Sequence, residues 1–354
     1  MPPCSRPRTQ DGFVLVLVLW MLVAMAIGAA ALMLWSRGRV AEVQAGRDAV
    51  DARIAMIGTR DTLLYLRAIV PPTQGGFPLA PLSEAELATR RLDEFGGLDK
   101  SPRGGELRLD GTPYASFGGV VVELQDEAGL VGLGAPATAP VPRLLEALGR
   151  SPSDARRLHD ALQDYIDADG LRRIAGAEAR DYRRLGLPPP ANRPLVSSRE
   201  LPRVLGWHAL PRSSLETMEA WTSVAYSGAL NLNTAPESLV QALVPECQRV
   251  CVERLRRRDV APFLSGRDFE AQAAARLPGD RDIDFRTAPS EYLRMTLKSP
   301  AGSAWRIHVR WTALADRAAP WSVDAAYRVP RTSDDEPPKP IRSPLFAAPA
   351  LAGP

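Results

Sequence analysis

The feature that most constrains this chain is a long uncharged run close to its first residue. Phe13 to Trp35 comprises 23 residues without a charged side chain. As an α-helix this run would measure about 34 Å, enough to cross a hydrocarbon layer of about 30 Å. We therefore predict a membrane span. The alternative is a cleaved secretory signal with its cleavage site at residues 28–31, but the apolar run continues past them to Trp35.

The helical pattern continues beyond the span. Aliphatic residues recur at spacings of three, four and seven, the stripe of an amphipathic helix with one buried face. Pro71-Pro72 ends this pattern, because proline disrupts a helix and disfavours it one residue earlier. Span and stripe together predict one helix of about 56 residues, about 84 Å long, which suits lateral packing in a filament. The stripe consists of Val40, Val43, Val50, Ile54, Ile57 and Leu64.

Alternating apolar and polar residues predict strands on both sides of a helical segment. The first two are separated by a turn at residues 126–129 and form one predicted hairpin. A second hairpin turns at residues 299–302, and a further strand follows it. The predicted strands cover residues 114–124, 130–133, 293–297, 305–311 and 321–329.

Helical signals fill the chain from about Ser151 to Arg286. One helix is predicted from Ala235 to Leu243, with Thr234 as its cap and proline at a favoured first position. The fold class is therefore α+β, with a long N-terminal transmembrane and amphipathic helix and a sheet interrupted by a large helical domain. The proline-rich tail after Val329 is predicted not to fold.

Composition narrows the class of protein further. The chain has 44 Lys plus Arg and 41 Asp plus Glu, a net charge of +3, so nothing demands a polyanionic partner. An apolar share of 45% with 24% charged residues excludes a mostly disordered chain. Three cysteines exclude a scaffold built from disulfides. Cys247 and Cys251 lie one helical turn apart and are predicted to be packed thiols, with a bridge as the alternative.

An acidic segment is the candidate for a metal site. Asp164, Asp167 and Asp169 precede Glu178, and oxygen ligands without histidine or cysteine favour calcium. Asp167 and Glu178 span twelve residues, as in an EF-hand loop, but Arg172 stands where that loop needs glycine. The segment is therefore not an EF-hand. From spacing alone, a calcium site and a solvated acidic turn are equal alternatives.

The N-terminal region resembles the type IV pilin and pseudopilin superfamily, in which a short polar leader ends in glycine before an apolar helix. Asp11-Gly12-Phe13 fits this pattern. The resemblance implies that a prepilin peptidase cleaves after Gly12 and methylates the amine of Phe13, and that the remainder faces the periplasm. The superfamily usually has glutamate at the fifth mature position, where this chain has Leu17. A carboxylate in lipid is costly unless it has a partner. Absence of this glutamate is typical of the K-type minor subunit, and sequence drift is the alternative explanation.

Four motifs in order resemble the K-type minor pseudopilins of type II secretion systems. That family carries a DxxDxD stretch, a GAE, an EL pair and an NxNTA element. The resemblance implies a pilin-like antiparallel sheet domain interrupted by an all-helical insertion, SAM-like or helix-hairpin-helix-like. It also implies a calcium site, carried onto Asp164, Asp167, Asp169 and Glu178. The motifs are Asp164 to Asp169, Gly176-Ala177-Glu178, Glu200-Leu201, and Asn231-Leu232-Asn233-Thr234-Ala235.

The resemblance implies a structural subunit and not an enzyme. Such a subunit would join the I-type and J-type minor pseudopilins and the major pseudopilin, prime pseudopilus assembly, and cap the tip for protein export across the outer membrane. One span would hold it in the inner membrane with its C-terminal domain in the periplasm. The predicted domains are a leader 1–12, a span 13–35, its periplasmic continuation 36–70, sheet parts 71–150 and 287–330, a helical insertion 151–286 and a disordered tail 331–354.

DNA binding is the main alternative function. The NxNTA element followed by two helices also resembles a helix-hairpin-helix module, which brings backbone amides to a phosphate. The turn here is Pro245-Glu246-Cys247, which lacks one amide donor and adds a negative charge. Arg254 and residues 256–258 are therefore predicted to form a solvated helix face, and no nucleic acid is expected as a partner.

Catalysis has little support in the sequence. His159, His208 and His308 lack metal-ligand spacing, and His308 falls on the predicted polar face of a strand. A hydrolase with scattered catalytic groups in the helical insertion is the remaining alternative.

Overall fold

The computed structural model describes residues 11–89, 100–134, 139–312, 319–330 and 339–347. Residues 1–10 of the predicted leader therefore lie outside the described chain. The molecule divides into two units, Met1–Ile54 and Ala55–Pro354. The division falls inside the first helix.

The described ranges contain α-helices, β-strands and short 3-10 helices. The α-helices are α1 Asp11–Ile69, α2 Glu84–Thr89, α3 Val141–Ala147, α4 Pro152–Ile166, α5 Ala179–Arg184, α6 Arg212–Trp221, α7 Glu237–Leu243, α8 Arg249–Arg256 and α9 Gly266–Ala273. The strands are β1 Asp110–Ala115, β2 Val121–Asp126, β3 Val131–Gly132, β4 Thr222–Ser223, β5 Leu230–Asn231, β6 Phe285–Arg286, β7 Tyr292–Lys298, β8 Ala304–Trp311, β9 Trp321–Arg328 and β10 Ile341–Arg342. The 3-10 helices are Phe117–Gly119, Glu127–Gly129, Ser198–Arg203, Trp207–Ala209 and Pro344–Phe346.

Helix α1 confirms the predicted long N-terminal helix. All side chains from Val14 to Trp35 are exposed, and α1 is long and apolar enough to cross a membrane. Moving a helix that is apolar on every side out of water lowers the free energy of the system. The helix ends at Ile69, as Pro71-Pro72 predicts.

The main sheet has six strands in the order β10-β1-β2-β7-β8-β9. Neighbours run antiparallel, except β1 and β10, which run parallel. The predicted hairpin of residues 293–297 and 305–311 is confirmed as β7 and β8, and Leu297 lies opposite Trp305. The predicted strand 321–329 is confirmed as β9. Strands β2 and β7 are sheet neighbours although helices α3 to α9 separate them in the chain.

The prediction that residues 114–124 and 130–133 form a hairpin is wrong. Residues 114–124 are interrupted at Gly118 and Gly119, whose φ angles are 56° and 74°, a region that favours glycine. They therefore form β1 and β2. After β2, the Asp126 side chain accepts a hydrogen bond from the Ala128 amide at 3.2 Å and caps a 3-10 helix. The chain leaves the sheet there, and β3 pairs in parallel with β4 instead.

The described residues from 55 onward form two hydrophobic cores. The first joins the C-terminal part of α1 to one face of the sheet and includes the fully buried Leu63 and Val122. Full burial of one such side chain contributes roughly 1.5–3 kcal/mol. The second gathers the helices between β3 and β6 and includes the fully buried Trp207 and Phe263. Because both cores are complete within this unit, we expect it to fold without the first 54 residues.

The α+β class is confirmed, with a long apolar helix and a sheet domain. The segment between β3 and β7 contains α3 to α9 and three two-residue strands. Its description as a SAM-like or helix-hairpin-helix-like insertion, and the domain limits 151–286, stay predictions.

Part of the tail is ordered, contrary to the prediction that it does not fold. Strand β10 pairs with β1, and Phe346 packs edge-on against Phe117 with ring centroids 5.4 Å apart. Proline content gives no information about an open sheet edge formed by a distant segment, which is why composition missed this pairing. Residues 331–338 and 348–354 of the predicted tail lie outside the described chain.

Cys247 and Cys251 form a disulfide, so the prediction of two packed thiols is wrong. Cys251 lies in α8, Cys247 lies in the turn before it, and their Cα atoms are 5.0 Å apart. A spacing of four residues is compatible with two free thiols and with a disulfide. The turn before α8 brings the two side chains together, and the bridge ties that turn to the helix.

Candidate metal site and NxNTA motif

Two helices position the acidic cluster. Helix α4 begins where the Ser151 side chain accepts a hydrogen bond from the Asp154 amide at 3.1 Å, and it ends just before Asp167. Helix α5 begins after Glu178, which caps it in a reciprocal capping box with Asp181. The loop between α4 and α5 therefore has a fixed carboxylate at each end.

The structure brings three of the four predicted ligands together. One carboxylate oxygen each from Asp167, Asp169 and Glu178 lies within 4.8 Å of the others. Calcium binds oxygen at 2.3–2.6 Å, so two of its ligands lie at most about 5 Å apart. One calcium ion can therefore contact all three residues.

Asp164, the fourth predicted ligand, is not among these three residues. Its carboxylate is fully buried and lies 2.7 Å from Arg173 Nη1. The Arg173 backbone amide also donates to Asp164 Oδ2 at 3.2 Å, and Arg173 Nη1 contacts Asp167 Oδ2 at 2.5 Å. Asp164 thus holds the loop through Arg173, outside the set of three oxygens.

The cluster contains buried oxygens without a partner. Glu178 Oε1 and Asp167 Oδ1 have no hydrogen-bond partner among the described residues, and Glu178 is only 7% exposed. Burial raises the pKa of Glu178, and the charges of Asp164, Asp167 and Asp169 raise it further. An unpaired buried carboxylate is costly, and a cation at this position would remove the cost. The residues present therefore fit a calcium ion.

The glycine of the GAE motif has a steric explanation. A Cβ atom at Gly176 would lie 2.0 Å from Asp164 Oδ2. Only glycine lets the loop backbone pass this close to the buried carboxylate.

The NxNTA motif joins the sheet to the helical segment. Asn231 Nδ2 and the Thr234 hydroxyl both donate to Asp126 Oδ2, at 2.8 and 3.0 Å. The Ser290 hydroxyl and amide donate to Asp126 Oδ1, at 2.6 and 3.1 Å. Asp126 ends β2, and Ser290 lies just before β7. Burial raises the pKa of Asp126, whereas these hydrogen bonds lower it.

Asn233 and Ala235 complete the junction. Asn233 donates to the carbonyls of Phe263 and Thr287, at 2.8 and 2.9 Å, and accepts from the Phe263 amide at 2.8 Å. Ala235 is fully buried, and its carbonyl accepts from Arg258 Nη1 at 2.8 Å. Thr234 does not cap the next helix as predicted, because its hydroxyl is committed to Asp126; Pro236 is the N-cap of α7.

The predicted solvated arginine face is partly wrong. Arg258 is 7% exposed and also donates to the Leu232 carbonyl at 2.7 Å, and burial lowers its pKa to about 10. Arg254 stacks 4.4 Å from the Phe263 ring centroid. Arg256 pairs with a glutamate of α7 at 2.9 Å and is exposed, as predicted.

His308 lies on the polar face of β8, and this face is buried. Its Nδ1 lies 2.6 Å from Glu127 Oε1, and its Nε2 lies 3.1 Å from the Tyr327 hydroxyl. The hydrogen bond with His308 lowers the pKa of Glu127 against the opposing effect of burial. On the same face, Arg306 pairs with Glu219 of α6 at 2.6 Å. This polar face is covered by the helical segment, so its polarity marks an internal junction.

Sequence reasoning missed Asp126, Ser290 and Arg258. The one available signal was an aspartate between a strand and the turn Glu127–Gly129, a position that often caps a turn. Nothing local to Arg258 distinguishes it from its exposed neighbour Arg257.

A long apolar helix whose C-terminal part packs on a mostly antiparallel sheet agrees with the fold that the pilin resemblance implies. Residues 130–218 match the family model described as type II secretion system (T2SS), protein K. This match confirms the resemblance drawn from the sequence. The match contains Asp167, Asp169 and Glu178 and ends before the NxNTA motif.

A solved structure shares the fold. The crystal structure of the GspK-GspI-GspJ complex from the enterotoxigenic Escherichia coli type 2 secretion system contains a chain similar to this one, with a TM-score of 0.50 and 15% sequence identity. The likeness covers 84% of this chain and 99% of that chain. A comparison with curated proteins finds no match.

Proposed function

We propose that this chain is a K-type minor pseudopilin of a type II secretion system, which primes pseudopilus assembly and caps its tip during protein export across the outer membrane. One observation carries the proposal: the protein K segment 130–218 belongs to a chain that begins with an exposed apolar helix. A filament subunit needs such a helix for lateral packing, whereas a free periplasmic protein would leave it unpaired in water.

The proposed partners are an I-type and a J-type minor pseudopilin and the major pseudopilin. The support is the likeness to a chain of the GspK-GspI-GspJ complex. Contacts would form along α1, where every side chain from Val14 to Trp35 is available. The helical segment between β2 and β7 would block addition of a further subunit above it, which accounts for a place at the tip.

We place the span in the inner membrane and the remainder in the periplasm. The Cys247–Cys251 disulfide supports a periplasmic location for the C-terminal domain, because disulfides persist in oxidising compartments such as the bacterial periplasm. Prepilin peptidase would cleave after Gly12 and methylate Phe13. Both residues belong to the first turn of α1. Leu17, in place of the usual glutamate, suits a subunit with no neighbour ahead of it.

The proposed role of calcium is structural. Asp167, Asp169 and Glu178 would hold the ion, which would supply positive charge to oxygens that otherwise lack partners. Asp164 and Arg173 orient the loop around it. We propose no catalytic step for this protein.

Co-purification tests the proposal directly. The full chain is co-expressed with the I-type and J-type minor pseudopilins of the same system and extracted in detergent. We expect a stable complex of all three, and no salt-dependent shift of duplex DNA with the fragment 55–354. Failure to isolate the complex, together with a DNA shift, would favour the helix-hairpin-helix alternative. The engagement of Arg254 and Arg258 by protein groups argues against that outcome.

A further inference from the structure

The loop that carries the proposed calcium ligands also exposes large aliphatic side chains. Leu171 is 77% exposed and Ile174 is 100% exposed, and both lie between Asp169 and Glu178. Single exposed aliphatic residues are common on protein surfaces, but neighbouring ones mark contact sites.

A third exposed aliphatic residue, Leu185, follows this loop at the end of α5. Arg172 and Arg184 both pair with Asp181, over 3.8 and 2.5 Å. Each arginine is the chain neighbour of an exposed leucine, Leu171 in one case and Leu185, 62% exposed, in the other. Two arginines therefore meet at one carboxylate, and the leucine next to each of them in the chain is exposed. We call this the loop surface, formed by Leu171, Arg172, Ile174, Arg180, Arg183, Arg184, Leu185 and Leu187.

Calcium would change the charge of this region. From Asp164 to Leu187 the chain has five arginines and five acidic residues, so the formal charge is zero. Three of the five acidic residues are the proposed ligands, and a bound calcium ion would bring the region to +2. Arg173 points inward to Asp164 and Asp167, whereas the other four arginines are exposed.

Exposed cations around protruding aliphatic side chains match the chemistry of a lipid surface. Arginine binds the phosphates of anionic headgroups, and the aliphatic side chains enter the boundary between headgroups and acyl chains. A protein partner is less favoured, because leucine is under-represented among the residues that dominate the energy of protein–protein binding. The loop surface offers leucine and isoleucine side chains and no aromatic one.

We propose that the loop surface docks on an anionic phospholipid bilayer when calcium is bound at Asp167, Asp169 and Glu178. This inference rests on the proposed calcium site. Linkage requires the reverse effect as well, so anionic vesicles increase the calcium affinity of the protein.

Vesicle flotation of the fragment 55–354, which contains both cores and lacks the membrane span, tests the proposal. Vesicles are made of phosphatidylcholine alone or of phosphatidylcholine and phosphatidylglycerol in equal parts. We expect binding to the anionic vesicles in calcium to exceed binding in EDTA by about 25-fold, since calcium adds two positive charges and each charge near an anionic surface contributes about fivefold. Binding to neutral vesicles stays low in both conditions.

Two variants locate the contact. Replacing Leu171 and Ile174 together with alanine is expected to reduce binding about tenfold, because apolar surface no longer leaves water. Replacing Arg183 and Arg184 together with glutamate is expected to abolish it. The control is Val260→Ala, since Val260 is 74% exposed elsewhere in the helical segment; it should bind like the unchanged fragment.

Thermal unfolding in the same buffers separates this inference from the calcium proposal. If calcium raises the melting temperature but the fragment does not float with anionic vesicles, the lipid inference is wrong and the calcium site stands. If flotation is equal in calcium and EDTA, or if the double alanine variant floats normally, the inference is also wrong. If calcium affects neither melting nor flotation, both proposals fail. A double alanine variant that retains its calcium response but no longer floats supports the inference.

Discussion

Asn231 Nδ2 donates a hydrogen bond to Asp126 Oδ2 over 2.8 Å, although the two residues are 105 positions apart in the sequence. The bond joins the end of sheet strand β2 to the NxNTA motif of the helical segment. The motif that resembles a DNA-binding element therefore acts in this chain as a structural junction.

Removing that bond should destabilise the fold. We expect Asn231→Ala to lower the free energy of unfolding of fragment 55–354 by about 1–3 kcal/mol, because a buried carboxylate oxygen loses a donor. Urea denaturation followed by circular dichroism measures the change. The control is Glu84→Ala at an exposed helical position, with an expected effect within about 0.5 kcal/mol. Equal midpoints for the two variants would contradict the junction.

Arg258 and Arg257 provide a matched pair for the arginine run. Arg258 is buried and donates to the carbonyls of Leu232 and Ala235, whereas Arg257 is exposed. We expect Arg258→Ala to cost about 3 kcal/mol, because buried carbonyls lose their donor and a cavity forms. Arg257→Ala should leave the unfolding midpoint nearly unchanged. The same urea titration tests both, and a larger effect at Arg257 would mean that the structural assignment is wrong.

Calcium should stabilise the fragment in a pH-dependent way. Burial and neighbouring carboxylates raise the pKa of Glu178 above its value of 4.5 in the unfolded chain. Without calcium, the folded state binds more protons there than the unfolded state, so stability falls as pH rises from about 4.5 through the folded pKa. Calcium needs the ionised carboxylate and acts in the opposite direction.

The measurement is the melting temperature with calcium and with EDTA at pH 4.5 and pH 7.5. We expect the calcium-dependent increase to be larger at pH 7.5, equivalent to about 2.7 kcal/mol at a calcium concentration of 100 times Kd. Glu178→Gln should stabilise the calcium-free form and weaken the calcium response. Glu146→Gln, at an exposed position, should change neither. An increase that is the same at both pH values would remove Glu178 from the site.

If prepilin peptidase cleaves after Gly12, the mature chain begins with Phe13. We expect Gly12→Leu to block cleavage in cells that contain prepilin peptidase, because the superfamily leader ends in glycine. Mass spectrometry of the purified full chain should then show the uncleaved N-terminus in the variant and a methylated Phe13 in the unchanged protein. Gly28→Leu is the control, since it alters the alternative secretory cleavage site. Blocked cleavage in this control, with normal cleavage of Gly12→Leu, would show that the segment is a secretory signal.

Local patterns were sufficient for several elements. The uncharged run and the stripe predicted α1, and alternation predicted β7, β8 and β9, because periodic side chains report directly which face is buried. The loop between α4 and α5 brought Asp167, Asp169 and Glu178 together within twelve residues, so their spacing carried the necessary information. The contact between Asp164 and Arg173 was not predicted, because it depends on how the loop folds back.

The sequence by itself determined the apolar helix, the alternating strands and the acidic loop, since each of these depends on residues that are close in the chain. Tertiary structure alone decided that Asp126 holds the NxNTA motif, that Arg258 is buried and that His308 faces Glu127. These contacts form between segments separated by many residues. Whether a polar side chain meets water or a buried partner is a property of the packed surfaces, and no local pattern records it.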